Sequence, residues 1–182
     1  MAYKPIPNVY VIGLGHKARH GKDTAASHIV RETKGAAVVH SFSDDLYAIA
    51  RIIFGMKKKD GSVLQWLGTE GFRRKDPQTW VDSMYWKLDY KRPRIAVIPD
   101  CRFPNEAEFV KDMGGTLIKV TRVDSHGNPY VVTDRDPNHP SEVALDGYED
   151  WDYAIQATSV DVLRTKVEEV LWDIRHEIGV DF

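Results

Sequence analysis

Val9-Tyr10-Val11-Ile12-Gly13-Leu14-Gly15-His16-Lys17-Ala18-Arg19-His20-Gly21-Lys22-Asp23-Thr24 is the stretch that decides the fold. An apolar, β-branched run enters a glycine-containing turn, and Ala25-Ala26-Ser27-His28-Ile29-Val30 then opens a helical pattern. A phosphate cradle needs this order. Loop N–H groups and the helix N-terminus face the anion, and the lysine reaches the β- and γ-phosphates. The usual spacing is G-x-x-x-x-G-K-[ST], and the chain departs from it twice. His16 stands where the first glycine is expected, with Gly15 one residue early. Asp23 stands where Ser or Thr is expected, with Thr24 next. The plainer reading is a glycine-rich βα turn, and the strand-to-helix setting favours the cradle over it.

Working outward, strands alternate with helices. Residues 37–42 and 95–98 read as further buried strands, followed by 116–120 and 153–155. Helical spacing covers 23–33, 44–54, 64–72, 79–88, 105–113 and 160–178. In 44–54 the apolar residues Leu46, Ile49, Ala50 and Ile53 recur at i, i+3, i+4 and i+7. Alternation of this kind implies a parallel sheet with helices on both faces. Ligands then sit at the carboxyl ends of the strands. There the chain places the phosphate loop, Ser43-Asp44-Asp45 and Pro99-Asp100-Cys101-Arg102. Acidic residues thus converge where phosphates would lie, and an Asp after an apolar strand commonly orders magnesium or its water. Plainer readings make Asp44 and Asp100 helix caps.

Composition bounds the function. The 182 residues suffice for a single domain with a buried core. Net charge is −2, which gives no global attraction to nucleic acid or an anionic membrane. The single cysteine excludes an internal disulfide framework and a cysteine zinc site. No apolar run approaches a membrane span, and no signal-peptide pattern is seen, so a cytoplasmic setting is expected. Residues 124–140 are polar and aperiodic, and loops this long are usually functional or disordered. The aromatic residues Trp66, Trp80, Tyr85 and Trp86 read as core more readily than as base-stacking surface.

Five stretches together resemble the bacteriophage-type deoxynucleoside monophosphate kinases, a P-loop family. They are Arg19-His20-Gly21-Lys22-Asp23-Thr24; Phe42-Ser43-Asp44-Asp45-Leu46; Leu64-Gln65-Trp66-Leu67-Gly68-Thr69-Glu70-Gly71-Phe72-Arg73 with Trp80-Val81; Pro99-Asp100-Cys101-Arg102-Phe103-Pro104-Asn105-Glu106-Ala107; and His139-Pro140-Ser141-Glu142 with Trp151-Asp152-Tyr153-Ala154-Ile155. In that family an Asp commonly follows Gly-Lys. Gln156 stands where such kinases often carry Asn.

The resemblance implies a P-loop NTPase three-layer α/β fold with a mostly parallel five-stranded sheet. It implies one kinase domain over 1–182, a helical acceptor-binding insertion at about 55–92 and a lid at about 123–140. The activity implied is transfer of the ATP γ-phosphoryl, with magnesium, to a deoxynucleoside 5′-monophosphate. ATP and the monophosphate are the expected partners, without nucleic acid polymer or membrane, and pairing of two copies is left open. Lys22, Arg19, Asp44 and Arg135 are the expected catalytic residues. Gly15, His20, Gly21, Lys22, Asp23, Thr24 and Gln156 are expected on ATP. Asp44, Gln65, Arg73, Arg74, Arg102 and Glu142 are expected on the acceptor, and Asp23, Thr24 and Asp100 on the metal. Arginine suits the acceptor phosphate because its planar fork pairs two oxygens. Two alternatives stand beside this: a P-loop kinase of another small molecule, such as a coenzyme precursor or phosphomevalonate, and a nucleotide-switched binding protein.

Overall fold

The glycine-rich turn leaves the middle strand of a five-stranded parallel sheet. In a computed structural model, which describes residues 2–58, 60–133, 136–177 and 179, β1 (Tyr10–Gly15) is flanked by β3 (Ile95–Cys101) and β4 (Thr116–Arg122). The edges are β2 (Ala37–Val39) and β5 (Tyr153–Ala157), giving the order β2-β3-β1-β4-β5. Every pairing is parallel, so the sheet is wholly rather than mostly so. Such sheets need cover on both faces, which is why β1 and β3 read as unbroken apolar runs.

One face is covered by α1 (Lys22–Glu32) and α7 (Val160–Glu177). Ala25, Ala26 and Ile29 pack with Val167, Leu171 and Ile174 over Ile12, Leu14, Val97 and Ile118. The other face carries α4 (Thr79–Lys91) and α5 (Pro104–Asp112), whose Val81, Met84, Leu88, Phe109 and Val110 meet Val11, Ala96, Ile98 and Leu117. Each fully buried Val, Leu, Ile, Met or Phe side chain among these contributes about 1.5–3 kcal/mol. The chain therefore leaves β1 toward one face and β3 toward the other. Adjacent strands diverging in this way open a crevice at their carboxyl ends, where ligands of open α/β sheets bind.

Several boundaries differ from the sequence expectation. Strand β2 stops at Val39 instead of 42; only His40 N–H continues the ladder, to Val97 O at 2.9 Å. Strand β3 runs on through Pro99, which lies past the last β2 pairing, so its missing N–H costs that edge nothing. Helix α2 (Asp44–Ile52) falls where the periodicity puts it. The expected helix at 64–72 is instead a short α3 (Gly61–Gln65), capped by Asp60, running into a π-helical segment, Trp66–Arg73. Wide-turn helices of this kind are rare and gather at functional sites. A four-residue helix not foreseen, α6 (Pro140–Val143), follows His139, whose ring accepts Ser141 N–H.

The segment expected to be an aperiodic lid is ordered in its first half. Asp124 accepts the His126 and Asn128 N–H groups, Tyr130 N–H returns to Arg122 O, and Val123 and Val132 are buried. Val132 is its buried apolar residue, while its neighbour Val131 is exposed. Arg135 lies outside the described residues.

Candidate functional site

The loop between β1 and α1 is shaped by backbone that most residues avoid. His16, Arg19 and Gly21 have φ of 118°, 62° and 92°, the left-handed side that turns N–H groups inward for an anion. Gly15 is required by close approach: a Cβ there would meet the Trp151 ring at 2.5 Å. Its role is therefore packing, and it does not line the cleft.

Lys22 opens α1 and is buried, its ammonium donating to Lys17 O across the loop. Burial pushes its pKa down to about 7, and the positive charge of Arg102 adds to this. A buried ammonium beside a guanidinium is a site for an anion, whose charge would restore the proton. Asp23 and Thr24 follow in the first turn and face the same cleft.

That cleft has a volume of about 820 Å³ and is lined by Arg19, Gly21, Lys22, Asp23 and Thr24 on the loop side. Its opposite wall carries Gln65, Gly68, Thr69 and Arg73 from α3 and the π-helical segment, with Leu46, Tyr47 and Trp80. Asp100, Arg102 and Phe103 form the floor at the end of β3, and Asp136 and His139 close one side. The size suits a polyphosphate-bearing ligand with room for a second molecule.

Two buried carboxylates aim the arginines. Glu106 on α5 pairs with the Arg73 guanidinium and accepts the N–H groups of Arg102 at 2.7 Å and Phe103 at 3.1 Å. Burial raises its pKa while Arg73 pulls the other way. Arg73 also lies 4.0 Å over the Phe103 ring. Glu142 on α6 accepts Arg102 Nη1 at 2.6 Å and Ala18 N–H at 2.8 Å. Asp100 accepts Phe42 N–H, Ser43 N–H and Ser43 Oγ–H at 2.8–3.0 Å. It thus ties β3 to the turn after β2 and does not cap α5, whose cap is Phe103.

The structure places several expected site residues elsewhere. Asp44 is exposed, accepts Ser41 N–H and faces Lys87 at 3.4 Å, outside the cleft. Arg74 is exposed and sits 3.7 Å from Glu70, because the helix turns it away from Arg73. Glu142 is buried behind Arg102 rather than presented to a ligand. Gln156 is exposed on the edge strand β5, opposite Thr121 and away from the lining. The His20 ring is spent on backbone: Nδ1 accepts Arg122 N–H at 3.2 Å and Nε2–H donates to Tyr130 O at 3.0 Å. Burial accordingly lowers its pKa.

Of the aromatics, Trp80 is core and donates Nε1–H to Gly68 O, whereas Trp66 and Trp86 are exposed. Sequence reasoning gave Glu106 no role, although its place three residues after Phe103 is the N3 position from which a glutamate reaches back to the start of a helix.

Hard oxygen donors, the Asp23 carboxylate, the Thr24 hydroxyl and Asp100, face one cleft, which is the chemistry magnesium selects. Both Asp100 oxygens already accept N–H or O–H bonds, which suits holding a metal-bound water more than direct ligation. Among the described residues, three His, Cys, Asp or Glu side chains converge only at His28, Glu32 and Glu168. There His28 Nδ1 accepts from Arg31 and Nε2 pairs with Glu168 at 2.9 Å, pinning α1 to α7.

A parallel sheet in this order, with a Gly-Lys loop ahead of the first helix and helices on both faces, is the P-loop NTPase three-layer fold. Shikimate kinase from Acinetobacter baumannii, solved with shikimate, superposes with a TM-score of 0.55 over 93% of this chain and 94% of its own, at 13% identity. Shikimate kinase from Bacteroides thetaiotaomicron gives 0.54 over 91% and 98%, at 14% identity. In sequence, a protein of Acanthamoeba polyphaga mimivirus described provisionally as a deoxynucleotide monophosphate kinase is 28% identical over 177 residues, which cover 80% of this chain and 86% of the viral one. No protein-family model matches the chain.

Proposed function

We propose that this protein is a kinase that transfers the ATP γ-phosphoryl to a deoxynucleoside 5′-monophosphate. The observation that carries the reading is that Lys22 on one wall, Arg73 on the other and Arg102 on the floor face a single cleft. The resemblance of the five motifs and the described activity of the mimivirus relative support the choice of acceptor.

In this reading the loop from Arg19 to Thr24 holds the ATP phosphates, and Lys22 and Arg19 offset the charge that spreads over the transferred oxygens. Arg73 and Arg102 hold the acceptor phosphate in line. Gln65 faces the nucleobase, since a side-chain amide pairs with a base edge. Asp23, Thr24 and a water on Asp100 would hold magnesium, which would supply positive charge against that of the phosphates. No strong side-chain base is needed, because the acceptor phosphate is already an anion at neutral pH. That agrees with Asp44 facing Lys87. Residues 55–92 serve as the acceptor-binding insertion, and 123–140 close over the cleft and exclude water. Among the described residues no helix is long and apolar enough to cross a membrane, and we place the reaction in the cytoplasm.

A second reading has support from the same arginines. Their forks pair a carboxylate as well as a phosphate, and two structural neighbours are kinases of shikimate, which carries one. A coupled ADP-release assay separates the two. ATP-magnesium is supplied with each deoxynucleoside monophosphate, each ribonucleoside monophosphate and shikimate in turn. Turnover with deoxynucleoside monophosphates supports the proposal; turnover with shikimate alone overturns it.

A further inference from the structure

The donor and acceptor halves of the cleft are joined by one buried group. Glu142 sits on the four-residue helix α6, outside the cleft lining and 2% exposed. Its Oε2 accepts Ala18 N–H, in the middle of the phosphate loop, and its Oε1 accepts Arg102 Nη1, at the end of β3. Arg102 Nη1 also lies 3.5 Å from Ser141 O on the same helix. Arg102 is close enough to Lys22 to depress its proton affinity. The loop and the arginine are 84 residues apart in sequence, and each is positioned against the other through this carboxylate.

We propose that Glu142 is a positioning residue that sets the register between the phosphate loop and Arg102, so that donor and acceptor phosphates meet in line. It touches neither substrate. The inference rests on the phosphotransfer reading of the cleft but not on which acceptor is used. Two features carry it. A carboxylate has two equivalent oxygens, so it satisfies both donors at once. Both donors are groups whose placement matters to phosphate: a loop whose N–H groups face the anion and a guanidinium that faces the cleft. Displacements of about 1 Å at such a junction cost about 100-fold in rate.

Glu142→Gln tests this, because an amide offers one acceptor oxygen and loses either Ala18 or Arg102. With the full chain, kcat should fall at least about tenfold, while KM for ATP and calorimetric affinity for ADP-magnesium stay within about threefold. The preference for ADP with aluminium fluoride over ADP alone, a mimic of the transferring phosphoryl, should fall at least about tenfold. A purely structural role would lower the active fraction and leave that preference intact. Unchanged kcat, or equal weakening of ADP and of the mimic, overturns the proposal. Should Glu142→Gln prove insoluble, Glu142→Asp, which keeps the charge one methylene short, is read by the same ratio. The mimic arm needs no acceptor. If wild-type protein phosphorylates no monophosphate yet the preference collapses in the variant, the acceptor assignment fails and this inference stands.

Discussion

The two walls of the cleft are built differently. The phosphate-loop wall is backed by the large core beneath α1 and α7, and its lysine is buried. The facing wall, from α2 through the π-helical segment, is backed by a small cluster whose buried members are Ala50, Leu64 and Leu67. It leaves Ile52, Ile53, Phe54 and Trp66 at least half exposed. Regions with few buried apolar contacts open at low free-energy cost. A rigid wall suits a ligand common to every turnover, namely a chain of phosphates. A loosely backed wall suits closing around a variable acceptor. Arg73 is the exception on the loose wall, because Glu106 anchors it to the sheet side.

Lys22→Ala should break the rigid wall outright. Removing the one buried cation from the loop should lower transfer by about 1,000-fold or more, with little loss of thermal stability, since a buried ammonium is costly to the fold. Coupled ADP release and a melting curve read the two effects, and near wild-type turnover would remove the phosphate-loop assignment.

Arg73→Ala should break the loose wall at its anchor. KM for the monophosphate should rise by about 10- to 100-fold while KM for ATP changes little. Stability should also fall, by about 3–5 kcal/mol, because Glu106 is left buried without its cation. Steady-state kinetics and urea unfolding check both; an equal rise in the two KM values would place Arg73 on the donor side.

A proton balance sharpens the contrast, because only the rigid wall carries a buried cation near neutrality. Folding drops the Lys22 pKa from the ordinary 10.5 to about 7. Between those values the unfolded chain binds more protons, so the ligand-free protein gains stability as pH rises through that window. Phosphate reverses the shift, so ATP binding at pH 8 should take up a fraction of a proton. Calorimetry in buffers of different ionisation enthalpy measures this. Equal heats in all buffers would contradict it.

The smallest effect is expected at Asp44. It faces Lys87 at the surface rather than the cleft, so Asp44→Ala should shift stability by no more than about 0.5 kcal/mol. Its kcat should stay close to that of wild type, and a large loss would return Asp44 to the site.

Reading the loop from sequence works because it is local. Strand, turn, lysine and helix are contiguous, and each residue type follows from backbone geometry within about 15 residues of chain. Arg73 and Arg102 were legible for a similar reason, as arginines at the ends of recognisable motifs. Arg74 and Asp44 carried equally good chemistry one residue from cleft-facing neighbours. Nothing local says which of two adjacent residues a helix turns inward; packing of Leu67 and Trp80 decides that. The π-helical register of Trp66–Arg73 was invisible too, since its apolar spacing mimics an ordinary helix over eight residues.

Sequence by itself determined the architecture, because strands buried on both faces and amphipathic helices must alternate to hide their apolar surface. It also placed the Gly-Lys loop at the mouth of a cleft, because strand, turn, lysine and helix are contiguous in the chain. Only the tertiary structure decided the roles of the two glutamates. Glu106 lies 33 residues from Arg73, and Glu142 lies 124 residues from Ala18. A buried carboxylate must find its donors wherever folding brings them, and that meeting is a property of the packed molecule rather than of any segment.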